Sequence, residues 1–142
     1  MKHVTCAAFT CVLLSKQLIG ALLLVLAQGS HGQEEAQRPT EFPSEAQAIA
    51  AQALKDRLSG RVFKARLHDQ TGWRLQFKGD YIYLNISTGA SDSGRWHTED
   101  GQLCVEYQQR FPSGCSVIRA SDSVIYLQRG STGEVVVLSP DH

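Results

Sequence analysis

The chain predicts an antiparallel up-and-down β meander of seven to eight strands, closed as a small barrel or curled as a half-barrel, preceded by one short α-helix. Three observations predict it. From Arg61 onward the apolar period falls from about 3.6 residues to 2. The alternating runs are short, and clusters of Gly, Asp, Ser and Thr separate them. Their connections are too brief for crossovers, so successive runs must pair antiparallel.

Composition bounds the rest. The chain has 142 residues, 42% hydrophobic and 20% charged, which suits one globular domain. Lys and Arg total 14 against 14 Asp and Glu, so there is no basic face of the kind a nucleic-acid binder carries. Residues 1–32 read as a secretory signal. Met1-Lys2-His3 and Lys16 precede the apolar run Leu18–Ala27, and small residues follow it. That run is shorter than the roughly 20 residues that a membrane span needs. Ser15-Lys16-Gln17 interrupts any longer one, and an uncleaved anchor is the lesser reading. Cleavage is expected in the Gly29–Gly32 region. The mature form would then have no membrane span and a periplasmic or secreted location.

Export changes the cysteine arithmetic. Cys6 and Cys11 leave with the signal, and Cys104 and Cys115 remain as a pair in an oxidising compartment. A disulfide is the expected state. A zinc site would need further close-spaced ligands, whereas His68 and His97 are isolated and His142 is terminal.

Taken in order, residues 33–43 are polar and form a flexible lead. The domain proper spans 44–142. Its helix is expected to start at Pro43-Ser44, with Ser44 as N-cap and Gln47 as capping-box partner, and to run to Leu58 before Gly60. Ile49, Ala53, Leu54 and Leu58 mark the face that docks on a sheet. Strand-like runs follow at 61–67, 72–78, 81–87, 94–98, 102–108, 115–119, 124–129 and 134–138. Gly79-Asp80 is a two-residue hairpin with Gly first, as a type II′ turn wants. The layout is lipocalin-like. An immunoglobulin-like sandwich would need a longer crossover connection.

Alternation places Trp73, Leu75 and Phe77 on one face, with Ile82, Leu84, Ile86, Leu103, Val105 and Tyr107, and Val135 and Val137 joining them. With Trp and Phe inward, side chains are expected to fill the interior in preference to leaving a ligand cup. An inward Trp96 sends His97 to solvent. Candidate binding residues are Trp73, Trp96, His97, Glu99 and Asp100, with His68-Asp69 beside them if those turns share an end. No phosphate loop, metal motif or nucleophile elbow occurs, so no catalytic residue, metal or cofactor is expected and the chain is read as no enzyme.

The signal, a short helix ending in Leu58-x-Gly60, Gly72-Trp73, the Gly-Asp turn, Gly94-x-Trp96, Gly101-x-Leu103-Cys104 and the second cysteine at 115 together resemble a group of small exported bacterial proteins that form a domain-of-unknown-function family. The resemblance covers most of the chain after residue 44 and implies a periplasmic β domain without assigned catalytic residues. The leading expectation is a non-catalytic envelope protein, structural or partner-binding. A barrel for a small apolar ligand comes second, and a periplasmic inhibitor of a foreign hydrolase, acting through the loop Ser87–Ser93, third.

Overall fold

The structure, a computed structural model, describes residues 37–142. The expected signal at 1–32 and the start of the lead lie outside the described residues. The elements are β1 (Gln47–Ala48), α1 (Ala51–Leu58), β2 (Val62–Arg66), β3 (Gly72–Lys78), β4 (Tyr81–Ile86), β5 (Ser91–Glu99), β6 (Gln102–Tyr107), β7 (Gly114–Ser121), β8 (Val124–Gln128) and β9 (Val135–Pro140). From β2 to β9 each strand pairs antiparallel with the next, and β9 returns to pair with β2. The sheet is therefore a closed eight-stranded barrel, with β1 as an extra strand on β7.

Closure sorts side chains by pleat. Leu75 faces Leu84, Phe77 faces Ile82, and Trp96 faces Val105, so one alternate set from every strand points inward. Tyr81 and Tyr83 project outward and stay exposed. Gly79 takes φ +57°, which fits the first position of the expected turn.

One end of the barrel is packed solid. Leu54 and Leu58 of α1 are fully buried there, each contributing roughly 2 kcal/mol of apolar burial. Phe77 meets Phe63 edge-to-face at 6.0 Å and Trp96 at 4.9 Å. The Trp96 indole N–H donates to the Gly79 carbonyl at 3.0 Å, which ties the β3–β4 turn to β5. Asp100 lies at this end too. Its Oδ1 accepts the Ala51 N–H at 2.9 Å and so caps α1 from the β5–β6 turn.

Gly94 explains the G-x-W spacing. Its position faces inward, two residues before Trp96 on β5. A Cβ there would overlap the Glu106 carbonyl oxygen and stand 3.0 Å from Tyr107 Cα. Only glycine lets β5 and β6 approach this closely.

Three expectations change. The helix starts at Ala51, not Ser44, because Pro43–Ala46 forms a turn and Gln47 and Ala48 are taken as a strand by Ala120 and Arg119 of β7. Backbone pairing with a waiting strand outweighs the weak propensity of a few alanines. On β9 the inward residues are Val136 and Leu138, opposite Leu127 and Ile125, while Val137 is exposed. A run of three valines and a leucine has no alternation from which to read its face. The described part of the lead is tied down. The Val135 N–H donates to Pro39 O at 2.7 Å, Gln128 donates to Thr40 O at 3.0 Å, and the Arg119 guanidinium lies 5.0 Å over Phe42.

The seam between β2 and β9 is short. Its register consists of Phe63 opposite Pro140 and Lys64 opposite Ser139. Asp141 fastens it from outside, accepting Lys64 Nζ at 2.7 Å and Arg74 Nε at 3.0 Å. With Lys64 and Arg74 largely in solvent, these ion pairs add little stability.

Candidate functional site

Opposite the packed end, the barrel is hollow. A cavity of about 530 Å³ runs from the middle of the barrel to its mouth, walled by Leu75, Leu84, Leu103, Val105 and Leu127. Its volume falls within the range of about 300–1,000 Å³ typical of small-molecule pockets. The expectation of a filled interior therefore holds for half of the barrel. Phe63, Phe77 and Trp96 cluster at the helix end, and the mouth half keeps mainly aliphatic residues that do not reach across.

The turns after β2, β4, β6 and β8 form the mouth. Trp73, Tyr107, Phe111, Asp69 and Arg129 line it. The Arg129 guanidinium lies 4.9 Å over the Trp73 ring and donates to Glu134 Oε2 at 2.8 Å. Glu134 is 2% exposed, and its other oxygen accepts the His68 N–H at 2.6 Å. Arg38 of the lead approaches the same carboxylate at 4.0 Å. A buried carboxylate needs such partners to remain charged. Through the His68 N–H bond, the Glu134 carboxylate thus ties the turn after β2 to the turn after β8.

The β6–β7 loop folds over the mouth and is held by Asp92, a buried carboxylate on β5. Oδ2 of Asp92 accepts the backbone N–H groups of Gln109, Arg110 and Phe111 at 3.3, 2.6 and 3.1 Å, and Oδ1 accepts that of Ser93 at 2.8 Å. Burial pushes this carboxyl up, but the four backbone donors together outweigh it and hold the group below the usual carboxylate range. Phe111 is thereby placed edge-to-face with Tyr107 at 5.6 Å. Burial, and then the Asp92 charge, push the Tyr107 phenol up to about 12, so it remains a neutral donor and acceptor at the cavity wall. At the base of the loop Cys104 and Cys115 stand directly opposite each other on β6 and β7 and are joined by a disulfide.

The structure separates the residues singled out from sequence. Trp73 lies in the mouth. Trp96 and Asp100 belong to the packed end, one as core and the other as helix cap. His97 and Glu99 are exposed on the outer face of β5, with Nε2 and Oε1 3.4 Å apart. The Cys104 sulfur is near enough to complete a three-donor cluster with them, but it is bonded to Cys115. His68-Asp69 sits at the mouth, at the opposite end of the barrel from Glu99-Asp100. The loop proposed for hydrolase insertion is a tight turn, because Ser91–Ser93 belong to β5 and Gly89 N–H and Ile86 N–H close it onto Ile86 and Ala90 carbonyls. Sequence reading missed Asp92, Arg129 and Glu134. Asp92 sat in a Ser/Gly-rich stretch that reads as loop, and Arg129 and Glu134 looked like strand ends. The available signal was an Arg and a Glu flanking the short Gly130–Gly133 turn, which cross-strand pairing places side by side.

A second, more open hollow of about 770 Å³ lies along the barrel wall beside the short seam, with Arg66, His68, Asn85 and Val137 on its rim. Comparison of the chain with protein-family models, with curated proteins and with solved structures found no match.

Proposed function

We propose that the chain is an exported, non-catalytic binding protein that holds a small apolar molecule in the mouth half of its barrel. The observation that carries this reading is the cavity itself. A barrel of this size has just enough side-chain volume to fill its interior, and here one half is filled while the other is open and lined by apolar groups. Export rests on the sequence of residues 1–32. The disulfide and the lack, among the described residues, of a helix able to cross a membrane support it.

The test is a titration with phenylnaphthylamine, an apolar dye that fluoresces on leaving water. Saturable binding at one site per chain is expected. Ile86→Trp and Val105→Phe, each of which adds volume to the cavity, should abolish it while leaving the circular dichroism of the barrel intact. Absence of binding, or binding indifferent to both fillings, would overturn the reading.

A second reading, an envelope domain that binds a protein partner, is supported by the seam. The β2–β9 register stops at Lys64 and Ser139, and beyond it the edges at Arg66 and Val137 face the open hollow. An extended segment can add to such edges through main-chain hydrogen bonds. Pull-down from envelope extract should then recover a partner that Val137→Glu releases. The same partner on wild-type and variant protein would reject the seam as its site.

A further inference from the structure

We propose that the cavity takes an uncharged, mostly apolar molecule carrying one hydrogen-bonding group at its outer end. This rests on the ligand-binding reading above and adds the chemical class of the ligand. It follows from what each polar group at the mouth already does.

The charges there are spent. Arg129 is the cation lining the cavity, and its Nη1 is committed to Glu134 at 2.8 Å. Glu134 is almost wholly buried and serves Arg129, the His68 N–H and Arg38, so it offers no oxygen to a cationic guest. Asp69 accepts the Thr71 N–H at 2.9 Å, and that bond, with a further one donated by the Thr71 hydroxyl, keeps it ionised. Asp92 is consumed by four backbone donors. A carboxylate or sulfonate entering the mouth would face Asp69 and find, among the described lining residues, only Arg129, which is already neutralised by Glu134. An ammonium drawn into the apolar depth would leave Asp69 at the rim and meet no other carboxylate among the described lining residues. Either charge would be desolvated without a partner, which is the expensive case.

Neutral polar groups remain. The Tyr107 phenol, its pKa pushed up to about 12, is protonated at neutral pH, and Ser116 and Ser131 lie on the same lining. They suit a hydroxyl, carbonyl or ether oxygen. Below them the walls are leucine and valine, suited to an alkyl or aryl body. Trp73 and Phe111 flank the entrance, where a flat or slender group passes most easily.

The experiment uses the mature, disulfide-bonded chain with two matched probe pairs at neutral pH. Phenylnaphthylamine is compared with anilinonaphthalene sulfonate, which has the same aryl skeleton plus a charge, and decanol is compared with decanoate as competitor. The neutral member of each pair is expected to bind at least about tenfold more tightly, the difference that an unpaired charge of modest cost produces. Equal or stronger binding of the sulfonate and decanoate would overturn the proposal while leaving the ligand-binding reading in place. Failure of all four probes would overturn that reading itself.

A variant gives an independent check. Glu134→Gln releases the Arg129 guanidinium from its carboxylate. Decanoate should gain about tenfold while decanol is little changed, since a freed cation in a low-dielectric mouth recruits an anion. A decanoate affinity unmoved by Glu134→Gln, in protein that retains its circular dichroism, would show that Arg129 is not what sets the charge preference and would overturn the argument. If this variant does not fold, the wild-type probe pairs decide.

Discussion

The backbone N–H of Phe111 reaches back to the carboxylate of Asp92 at 3.1 Å, so a residue on β5 decides where the β6–β7 loop lies. Two neighbouring N–H groups share the same oxygen. The loop carries the aromatic ring that narrows the cavity entrance. Asp92→Ala should therefore loosen the loop before it loosens the barrel. Amide exchange at Gln109, Arg110 and Phe111 is expected to accelerate, while the amides of β3 and β4 keep their protection. Equal acceleration in both regions would mean that Asp92 supports the whole fold and not the loop.

The same carboxylate makes the latch acid-sensitive. Its folded pKa lies below the ordinary carboxyl value of 3.8, so its contribution is complete above that pH and disappears as pH falls through the folded value. Asp69 and Asp141 are lowered as well, the first chiefly by the Thr71 N–H and the second chiefly by the Lys64 hydrogen bond. Thermal stability should thus be level near neutrality and fall in the acid range. Asp92→Asn should remove part of that acid slope. A slope identical to wild type would assign the acid loss to other groups.

Tyr107 titrates at the other extreme. Its folded value of about 12 exceeds the ordinary phenol value of 10.0, so the neutral phenol stabilises the fold fully below pH 10.0, and the benefit is lost as pH rises towards 12. Ultraviolet titration should show one late-ionising tyrosine. Tyr107→Phe should delete that component and flatten the alkaline decline in stability. It should also weaken decanol binding, because the ring stays and only the hydroxyl goes.

Gly94→Ala should be among the costliest single-methyl additions in the chain. The atoms it meets belong to the β6 backbone and cannot rotate away. Overpacking of this kind costs about 1–3 kcal/mol, readable as a shift in the urea midpoint. A change within the error of the measurement would mean that β5 and β6 separate easily at this point.

The disulfide closes an eleven-residue separation between strands already paired. Replacing both Cys104 and Cys115 by Ser should cost about 2–3 kcal/mol, through the greater freedom of the unfolded chain. The barrel should still form, since its core lies on the opposite face of β6. Loss of all β structure in the double variant would give the bond a larger role than loop closure explains.

The sequence made the strands legible because alternation and turn chemistry reinforce each other. Lys78-Gly79-Asp80-Tyr81 reads unambiguously, and all eight runs from Arg61 onward correspond to barrel strands. It erred where one face cannot be told from the other, as in Val135-Val136-Val137, where Val135 and Val137 were expected inward and Val136 points inward instead. It misled at Ser44, where a local capping pattern lost to pairing with β7. The cavity was illegible for a different reason. The inward residues of β3, β4 and β6 could be named, but whether opposing side chains meet depends on barrel radius and on which large rings share a layer. Phe63, Phe77 and Trp96 converge on one layer, and no local pattern reports that coincidence.

The brevity of the seam has a consequence for the way the chain acquires its shape. Every other neighbouring pair in the barrel is adjacent in sequence and can form as soon as its two strands have been synthesised. The contact between β2 and β9 must wait until β9 itself has emerged. In that interval β2 is a bare edge, the part of a nascent sheet most prone to associate with a stranger. Its outward side chains are Lys64 and Arg66, with Arg74 alongside on β3, and like charges discourage two such edges from joining. The anion that later reconciles two of these cations is Asp141, directly after β9. The feature that guards the open ribbon is thus switched off by its own completion.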